Sequence, residues 1–330
     1  MKKNSFKKIL FIRIGAIGDV IHTLNAPRAI KELYPDIEIH YASSMPKSFL
    51  AHTPYIDKVI TVPNIKKMGI FSKLIRDFAQ TLKSENYDAV INLQPSIKTR
   101  VLARLAGINN IYNYRKNKTH AVKNYWQTAK RAFPEINLHD NLEFKLAPTL
   151  TKELEKKLEG LKHPYIVFNS GHVFAKRQGR TYPIEKWVEL GNKIQNKYNG
   201  TIIITGVKVD AEVLKPLETI PNSVSFVDKL TLEENSALLG CADLVVSGDS
   251  GPLHIASALG IKVLGLFGSM PISRTGPYGK NCYTITSTKK CSPCNHRRCK
   301  YLRKTKELFA PCMKEIEVDD ILKKVCEILG

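Results

Sequence analysis

The sequence predicts an α/β protein made of two doubly wound halves, each with a parallel sheet. Short β-branched runs alternate with longer amphipathic stretches, which is typical of parallel sheets with helices on both faces. The length of 330 residues fits two ordinary domains better than one large core. The pattern changes around residues 145–163, where we place the domain boundary. A ligand is expected in the crevice between the halves, at the carboxyl ends of the strands.

The first half begins with a strand, Lys8–Ile14, that runs into the turn Gly15-Ala16-Ile17-Gly18-Asp19. A helical region follows from Val20 to Tyr34, and Pro27 inside it predicts a short first turn before the main helix. The alternation continues with strands at Ile37–Ala42, Val59–Val62 and Ala89–Leu93, and with helices at Phe71–Ser84 and Ile97–Ala106.

The second half repeats this theme after a charged stretch that is predicted to be helical, Thr151–Leu161, and a proline, Pro164. Its predicted strands are Tyr165–Asn169, Thr201–Thr205, Leu244–Ser247 and Val263–Phe267, and its helices are Ile184–Asn196, Ala211–Leu217 and Pro252–Leu259. The apolar spacing of Val318–Leu329 predicts a final amphipathic helix. We therefore expect an N-terminal domain of residues 1–155, a C-terminal domain of residues 156–315, and a last helix within 316–330 that packs back on the N-terminal domain.

The charge balance is the least ordinary feature of the composition. Lys and Arg number 51 against 30 Asp and Glu, for a formal net charge of +21. Such an excess favours acidic partners, whether nucleic acid, a phosphorylated substrate or an anionic membrane surface. No apolar run approaches the roughly 18–20 residues that a membrane span needs. The basic N-terminus lacks the long apolar stretch and the small-residue cleavage site of a signal peptide, which predicts a cytoplasmic protein.

The turn that ends at Asp19 is the first candidate site. Gly15 and Gly18 allow a sharp bend and a close approach to a ligand. Their spacing differs from the G-x-G-x-x-G of dinucleotide-binding proteins. Asp19 stands where the strand meets the helix, and a carboxylate in that position can act as a general base. The alternative is that Asp19 only caps the following helix.

The second candidate site is the segment Ser247-Gly248-Asp249-Ser250-Gly251-Pro252-Leu253-His254, which follows a strand and opens a helix. Pro252 suits the first helical position. The free backbone N–H groups and the helix dipole predict a diphosphate site, to which His254 adds a donor. The alternative is an ordinary strand–turn–helix with Asp249 or Ser250 as its N-cap.

Both segments closely resemble glycosyltransferase family 9, the heptosyltransferases that build the lipopolysaccharide inner core. The resemblance rests on Ile9–Asp19 continuing to Pro35, on Val245–Gly268 and on Arg274–Gly279, and it spans nearly the whole chain. Within the family, the cysteine pattern is most similar to that of the second heptosyltransferase type: Cys291-Ser292-Pro293-Cys294, Cys299 and Cys312-Met313.

The resemblance implies a GT-B fold, in which two Rossmann-like domains face a central crevice. The acceptor then binds the N-terminal domain and the nucleotide sugar binds the C-terminal one. Asp19 matches the catalytic base of the family. The nucleotide diphosphate is expected on Asp249, Ser250, Gly251 and His254.

The resemblance also implies two further donor contacts. A basic residue before an aromatic-Pro pair contacts phosphate in relatives, and Arg180 is the nearest one here, with Lys176 and Arg177 as competitors. A carboxylate that follows the strand ending at Gly206 is expected to hold the ribose hydroxyls. Asp210 and Glu212 both fit that role.

The implied activity is an inverting transfer of heptose from ADP-heptose to a Kdo- or heptose-bearing lipid A acceptor. Asp19 would deprotonate the acceptor hydroxyl. The helix start at Ser250–His254, with Arg180, would hold the leaving diphosphate, so we expect neither a catalytic metal nor a cofactor. The expected partners are ADP-heptose, the acidic acceptor and the inner face of the cytoplasmic membrane, where the protein would be peripheral.

A basic stretch of the first half suggests how the acceptor is captured. No acidic residue occurs between Asp88 and Glu135, whereas the basic residues there are Lys98, Arg100, Arg104, Arg115, Lys116, Lys118, Lys123, Lys130 and Arg131. Most of them are explained as solvated surface charges, but together they create a positive field that attracts phosphates and sugar carboxylates. We expect Lys98, Arg100 and Arg115, together with Gly15 and Gly18, to contact the acceptor.

The cysteines allow two interpretations. Cys291 and Cys294 form a zinc-like pair, whereas Cys299 and Cys312 are too widely spaced for the usual knuckle geometry. A structural zinc ion and reduced thiols in a basic loop both fit this pattern.

Other functions also stay open. The net charge of +21 suits a nucleic-acid-binding protein, although no RNP motif, helix-turn-helix signature or complete zinc finger is present. A nucleotide-sugar epimerase or dehydrogenase would need the missing G-x-G-x-x-G. A glycosyltransferase of the same fold that uses a different nucleotide sugar is a third alternative.

Overall fold

The chain divides into two compact units, Met1–Leu146 and Ala147–Gly330, each built on one parallel sheet. The structure is a computed structural model that describes residues 6–63, 69, 72–171, 179–296 and 298–330. The boundary expected between residues 155 and 156 falls inside the first helix of the second unit, Pro148–Lys157. That helix belongs to the second unit because it packs against the helix Leu232–Gly240 of the same unit.

The first unit contains a five-stranded parallel sheet. Its strands are β1 (Lys8–Ile12), β2 (Glu38–Ser43), β3 (Lys58–Thr61), β4 (Ala89–Asn92) and β5 (Asn110–Asn113). They lie in the order β3-β2-β1-β4-β5. The chain adds strands on one side of β1 up to β3 and then on the other side from β4, so the topological switch point, or reversal point, lies between β1 and β4. Four of the five residues of β1 are buried, as expected for a central strand covered on both faces.

The helices of the first unit lie between these strands. They are α1 (Ile17–Thr23), α2 (Asn25–Leu33), α3 (Lys47–Leu50), α4 (Lys73–Lys83), α5 (Ile97–Leu105) and α6 (Ala121–Lys130). The helical region predicted from Val20 to Tyr34 is therefore two helices. Pro27 is the third residue of α2, where its missing N–H interrupts no helical hydrogen bond.

The second unit contains a six-stranded parallel sheet. Its strands are β6 (Tyr165–Asn169), β7 (Thr201–Thr205), β8 (Ser223–Ser225), β9 (Leu244–Gly248), β10 (Val263–Phe267) and β11 (Cys282–Thr286). They lie in the order β11-β10-β9-β6-β7-β8, so the reversal point of this sheet lies between β6 and β9. Both sheets have the strand order of doubly wound folds, in which ligands bind beyond the carboxyl ends of the strands at the reversal point.

The described helices of the second unit are α7 to α15. The long ones are α7 (Pro148–Lys157), α8 (Ile184–Tyr198), α10 (Leu232–Gly240), α11 (Gly251–Ala258) and α15 (Val318–Leu329), and the short ones are α9 (Ala211–Leu214), α12 (Ile272–Thr275), α13 (Lys300–Lys304) and α14 (Pro311–Lys314). Two 3-10 turns, Lys208–Asp210 and Lys215–Thr219, flank α9. Across the described residues, no helix combines the length and the apolar character needed to cross a membrane.

The last helix, α15, is amphipathic as predicted. Its buried residues are Val318, Ile321, Val325 and Ile328, which belong to the core of the second unit. The helix packs against α8, where Lys193 Nζ lies 2.6 Å from an Asp319 carboxylate oxygen. The predicted apolar face of this helix is thus buried within the second unit, together with Trp187 of α8.

Candidate active site

The turn between β1 and α1 places Asp19 beside two donors. Asp19 is the third residue of α1, whose N-cap position is held by Ala16 without a side-chain capping bond. The Asp19 carboxylate lies 2.5 Å from Arg13 Nη2 and accepts a hydrogen bond from the Tyr125 hydroxyl at 3.1 Å. Its side chain is 39% exposed. The carboxylate is therefore oriented by two partners, still reachable from solvent, and makes no capping hydrogen bond to the helix.

Arg13 and Tyr125 are both buried, so they form a fixed support for Asp19. The Arg13 guanidinium lies over the Tyr125 ring, 5.3 Å from its centroid, and also donates to the Leu93 carbonyl at 3.0 Å. Burial raises the pKa of Tyr125, which keeps its hydroxyl protonated and able to donate to Asp19.

The turn that precedes Asp19 is tied to the strand ends at the reversal point of the first sheet. The Ile14 N–H donates to Gln94 Oε1 at 3.2 Å, just beyond β4. Asn92 donates to the Asn113 side-chain oxygen at 2.8 Å, which joins the ends of β4 and β5. Asp19 therefore lies at the carboxyl edge of the sheet, where doubly wound folds bind ligands.

A second polar cluster follows β9 in the second unit. Arg180 Nη1 lies 3.0 Å from an Asp249 carboxylate oxygen, and the Asp249 side chain is only 7% exposed. Gly248 allows this arrangement, since a Cβ at that position would lie 2.8 Å from the Arg180 carbonyl oxygen. Close contact between the two backbones thus holds the Arg180 side chain beside the start of α11.

No side-chain hydrogen bond caps the start of α11. Ser250 takes the N-cap position, but its hydroxyl bonds to Ser247 Oγ at 2.9 Å and to Asn169 Oδ1 at 3.2 Å instead of capping. Gly251 is the first helical residue, which places Pro252 second rather than first as predicted. His254 is buried, with Nε2 at 3.8 Å from an Asp249 oxygen. This geometry suits an anion at the helix start.

The two carboxylates that follow β7 have different environments. Asp210 ends the 3-10 turn and is completely buried. Glu212 lies in α9 and is exposed. Of the two, Glu212 is the one accessible to a ligand without a rearrangement of the backbone.

The three basic residues predicted to meet the acceptor all follow strand ends of the first sheet. Lys98 and Arg100 lie in the first turn of α5, directly after β4, and Arg115 follows β5 by two residues. Arg100 and Arg115 are exposed, whereas Lys98 is half-buried. They lie on the same carboxyl edge of the sheet as the turn with Gly15, Gly18 and Asp19.

Comparison with known proteins identifies the family. The sequence profile of glycosyltransferase family 9 (heptosyltransferase) matches residues 109–305, more than half of the chain. The chain belongs to glycosyltransferase family 9. Among the family's curated members, lipopolysaccharide heptosyltransferase 1 of Campylobacter coli is 26% identical over 98% of this chain and 99% of its own length. Lipopolysaccharide heptosyltransferase 1 of Escherichia coli (strain K12) is also 26% identical, over 83% of this chain and 92% of its own length.

Solved structures of family 9 share the fold. The family 9 protein of Veillonella parvula has a TM-score of 0.83 at 18% identity, covering 98% of this chain and 97% of that one. Heptosyltransferase II of Escherichia coli has a TM-score of 0.77 at 17% identity, covering 98% of both chains. The predicted family and the predicted GT-B fold class, with two Rossmann-like parallel-sheet domains, are confirmed. As a member of this family, the protein is a glycosyltransferase.

The structure gathers most of the predicted family 9 residues into two clusters, one in each unit. Lys176 and Arg177, the competitors of Arg180, lie outside the described residues. Arg13 and Tyr125, which hold Asp19, were not predicted. Arg13 carries a signal in the sequence, because it is a charged residue between the apolar strand Lys8–Ile12 and the turn that begins at Gly15. Tyr125 carries no such signal, since it lies 106 residues from Asp19.

Proposed function

We propose that this family 9 enzyme transfers a heptose from ADP-heptose to the inner core of lipopolysaccharide, with inversion at the sugar. The observation that carries the proposal is the oriented, solvent-accessible Asp19 carboxylate at the reversal point of the first sheet. The similarity to lipopolysaccharide heptosyltransferases along 98% of the chain supports the choice of sugar and acceptor.

Asp19 is the proposed general base. The carboxylate takes the proton of the acceptor hydroxyl while that oxygen attacks the anomeric carbon and the bond to the diphosphate breaks. Tyr125 and Arg13 act as positioning residues, because they touch the carboxylate and fix its direction.

The start of α11 is the proposed site of the leaving ADP. Its backbone N–H groups and the Arg180 guanidinium can stabilise the charge that develops on the diphosphate. Asp249 is a positioning residue in this proposal, because its carboxylate holds Arg180 and would itself repel a phosphate. Gly251 allows the diphosphate to approach the backbone, and His254 adds a donor.

Glu212 is the proposed contact for the ribose hydroxyls. It follows the end of β7 and is exposed, whereas Asp210 is completely buried beside it. A carboxylate that accepts two hydroxyl hydrogen bonds must be reachable by the nucleotide, which favours Glu212.

We also propose that the enzyme acts at the anionic inner face of the cytoplasmic membrane. The outer side of α5 presents Ile97, which is 63% exposed, and Leu105, which is 46% exposed, beside Arg100 and Arg104. Apolar and basic side chains on one face are typical of helices that lie on anionic lipid. Such a position brings Lys98, Arg100 and Arg115 near the phosphorylated core of the acceptor.

Donor turnover tests this proposal. The purified enzyme is incubated with one donor at a time, ADP-heptose, ADP-glucose or UDP-glucose. Each donor is tested with and without truncated lipid acceptors, and the release of the nucleotide is measured. We expect acceptor-dependent release from ADP-heptose alone. Turnover of UDP-glucose would favour a different nucleotide sugar. In thermal unfolding, ADP should stabilise the protein while short DNA should not, and the reverse result would favour the nucleic-acid-binding alternative.

A further inference from the structure

The segment between β11 and α14, residues 287–310, has two unusual features, its cysteines and its charge. The cysteines are free thiols, and among the described residues no three Cys, His, Asp or Glu side chains are grouped so that they could hold a metal ion. The charge is more informative. The sequence has no Asp or Glu between Asp249 and Glu307, whereas eleven Lys and Arg residues fall in that interval, eight of them within residues 289–306. The proposed catalytic and donor-binding residues use none of this charge.

Hydrogen bonds and a buried side chain fasten this segment to the second unit. Ser292 donates to the Gly268 carbonyl at 2.6 Å, and the Asn295 N–H donates to the Ser269 carbonyl at 2.7 Å. Leu302, in the middle of α13, is completely buried and belongs to the core of the unit. The charged side chains of the segment are therefore presented on a fixed backbone.

The exposed basic side chains of this segment are not neutralised locally. Six of them, which we call the basic surface, are Lys290, Arg298, Lys300, Arg303, Lys304 and Lys306. In the part of the chain that the structure describes, no carboxylate forms an ion pair with any of the six. Glu307 follows Lys306 in the sequence, but it pairs with Lys314 and accepts a hydrogen bond from the Tyr301 hydroxyl at 2.5 Å. The basic surface is thus available to an external anionic partner.

Two exposed apolar side chains accompany the basic surface. Tyr301 in α13 is 41% exposed, and Leu308, which follows the helix by four residues, is 45% exposed. An open cavity of about 300 Å³ is lined by Lys289, Tyr301, Glu307, Pro311, Lys314 and Glu315. Lys289 precedes the cysteines in the sequence and Tyr301 follows them, so the two ends of the segment meet at this cavity.

We propose that the basic surface, together with Tyr301 and Leu308, binds the surface of an anionic phospholipid membrane. Clustered Lys and Arg side chains attract anionic lipid head groups, and each contributes roughly fivefold to binding. An aromatic ring with a polar tip and an aliphatic side chain suit the boundary between head groups and acyl chains. The choice of lipid rests on the proposed function, because the proposed acceptor is itself a lipid.

Lipid accounts for the apolar side chains better than nucleic acid does. Proteins that bind single-stranded nucleic acid stack successive bases on several aromatic rings. Among the large apolar residues that are exposed in the described part of the chain, Tyr301 is the only aromatic one. Leu308 offers no ring for stacking, whereas an aliphatic side chain gains from contact with acyl chains.

The basic surface is separate from the membrane contact proposed for α5. Helix α5 belongs to the first unit, whereas residues 290–308 belong to the second. The second unit, which contains the proposed donor site, would therefore contact lipid through its own residues.

Vesicle binding tests the basic surface in the absence of donor and acceptor. The full chain is mixed with vesicles of phosphatidylglycerol and phosphatidylethanolamine, or with vesicles of phosphatidylcholine alone, and the bound fraction is measured by sedimentation. We expect binding to the anionic vesicles only, and added salt should weaken it. Arg303→Glu/Lys304→Glu/Lys306→Glu should lower the affinity roughly 100-fold, at about fivefold per residue. Leu308→Ser, which leaves the charge unchanged, should lower it by about fivefold.

The matched control is Lys152→Glu/Lys156→Glu/Lys215→Glu, which changes the net charge of the same unit equally at exposed positions. It should bind vesicles like the wild type. Equal losses in the two triple variants, or wild-type vesicle binding by the Arg303→Glu/Lys304→Glu/Lys306→Glu variant, would overturn the proposal. So would binding of a single-stranded RNA oligonucleotide that this variant loses while it still binds vesicles.

Turnover separates this proposal from the proposed function. A soluble, deacylated acceptor should be used equally well by the wild type and by the Arg303→Glu/Lys304→Glu/Lys306→Glu variant, since none of the three residues is placed in the catalytic or donor site. Equal turnover with reduced vesicle binding supports a lipid contact. Turnover that falls in parallel with vesicle binding would overturn it in favour of a disturbed fold. If heptose transfer fails altogether, vesicle binding still decides the present proposal.

Discussion

Asp19 combines access to solvent with a fixed orientation, and this pairing is what a general base needs. Substitution by Asn keeps the size of the side chain and its contact with Tyr125, but removes the group that accepts the proton. We expect Asp19→Asn to lower kcat by roughly 10²–10⁴ while the Kd for ADP stays unchanged. Initial rates and calorimetric ADP titration measure the two quantities. Near-normal turnover would mean that another group is the base.

Arg180 depends on Asp249 for its position. Asp249→Ala removes the partner of a guanidinium that we place at the diphosphate, so the free side chain must be ordered when ADP binds. We expect the binding free energy of ADP to weaken by about 1.5–3 kcal/mol, which raises the Kd for ADP roughly 10–150-fold. Asp243→Ala is the matched control, because Asp243 precedes β9 and pairs with His163 at the opposite end of that strand. Tighter ADP binding in Asp249→Ala would show that its carboxylate only repels the ligand.

The candidate site residues were chosen from the sequence alone, but the side chains with which they pair were not predicted. Asp19 and Asp249 each stand at a strand–helix junction, and that local pattern is visible in the chain. Their partners are not visible, because Tyr125 lies 106 residues from Asp19. The choice between Asp210 and Glu212 likewise depends on burial, which cannot be inferred from the spacing of two acidic residues that are separated by one residue.

At the level of elements, a cluster of ion pairs connects strands β1 and β3 of the first sheet through Glu85. Glu85 lies 2.7 Å from Lys8 of β1 and 2.5 Å from Lys58 of β3. Hydrogen bonds from Lys58 and Lys8 lower the pKa of Glu85 from its ordinary value of 4.5 to about 2. The carboxylate therefore links two strands that are not neighbours in the sheet.

This cluster predicts a defined dependence of stability on acid. Because the pKa of Glu85 is lowered on folding, its contribution is complete above about pH 4.5 and is lost as the pH falls toward 2. Glu85→Gln should cost about 1 kcal/mol of unfolding free energy at pH 7, since partly exposed pairs contribute little, and the difference from wild type should vanish near pH 2. Urea unfolding at several pH values measures it. Glu153→Gln, on the exposed side of α7, should show no such trend.

The elements that the sequence predicted are the ones with a clear apolar pattern. The buried strands β1, β6, β7, β9 and β10 were all expected, as were α8 and α15. The missed strands β5, β8 and β11 lie at sheet edges and contain no buried residue. The edge strand β3 also has no buried residue, but its apolar pair Val59-Ile60 made it recognisable. Helices α6 and α10 were also missed, and the break between α1 and α2 lies at Leu24, three residues before the Pro27 at which it was predicted.

At the scale of the whole molecule, the net charge of +21 is distributed unevenly along the chain. The stretch from Asp88 to Glu135 contributes a positive field near the proposed acceptor site. Reversing Lys98, Arg100 and Arg115 to Glu should raise the acceptor KM by about 5-fold per charge, on the scale of about 1 kcal/mol each, and should leave the Kd for ADP unchanged. Added salt should lower the rate of the wild-type enzyme, because it screens the attraction between the basic stretch and the acceptor.

The control for this prediction is a matched change of charge elsewhere. Lys152, Lys156 and Lys215 are exposed in the second unit, and their reversal to Glu changes the net charge by the same amount. That variant should retain the wild-type acceptor KM. If both triple variants raise KM equally, the effect belongs to total charge rather than to the stretch around α5.

Mass spectrometry of the lipid product tests the central claim most directly. The wild-type enzyme is incubated with ADP-heptose and acceptors that end in Kdo or in heptose, and the mass of each lipid is followed over time. We predict the addition of one heptose to one of these acceptors, with an equal amount of ADP released, and no addition by Asp19→Asn on the same time scale. Transfer by Asp19→Asn at the wild-type rate, or ADP release by the wild type without any gain of mass on the lipid, would contradict the account.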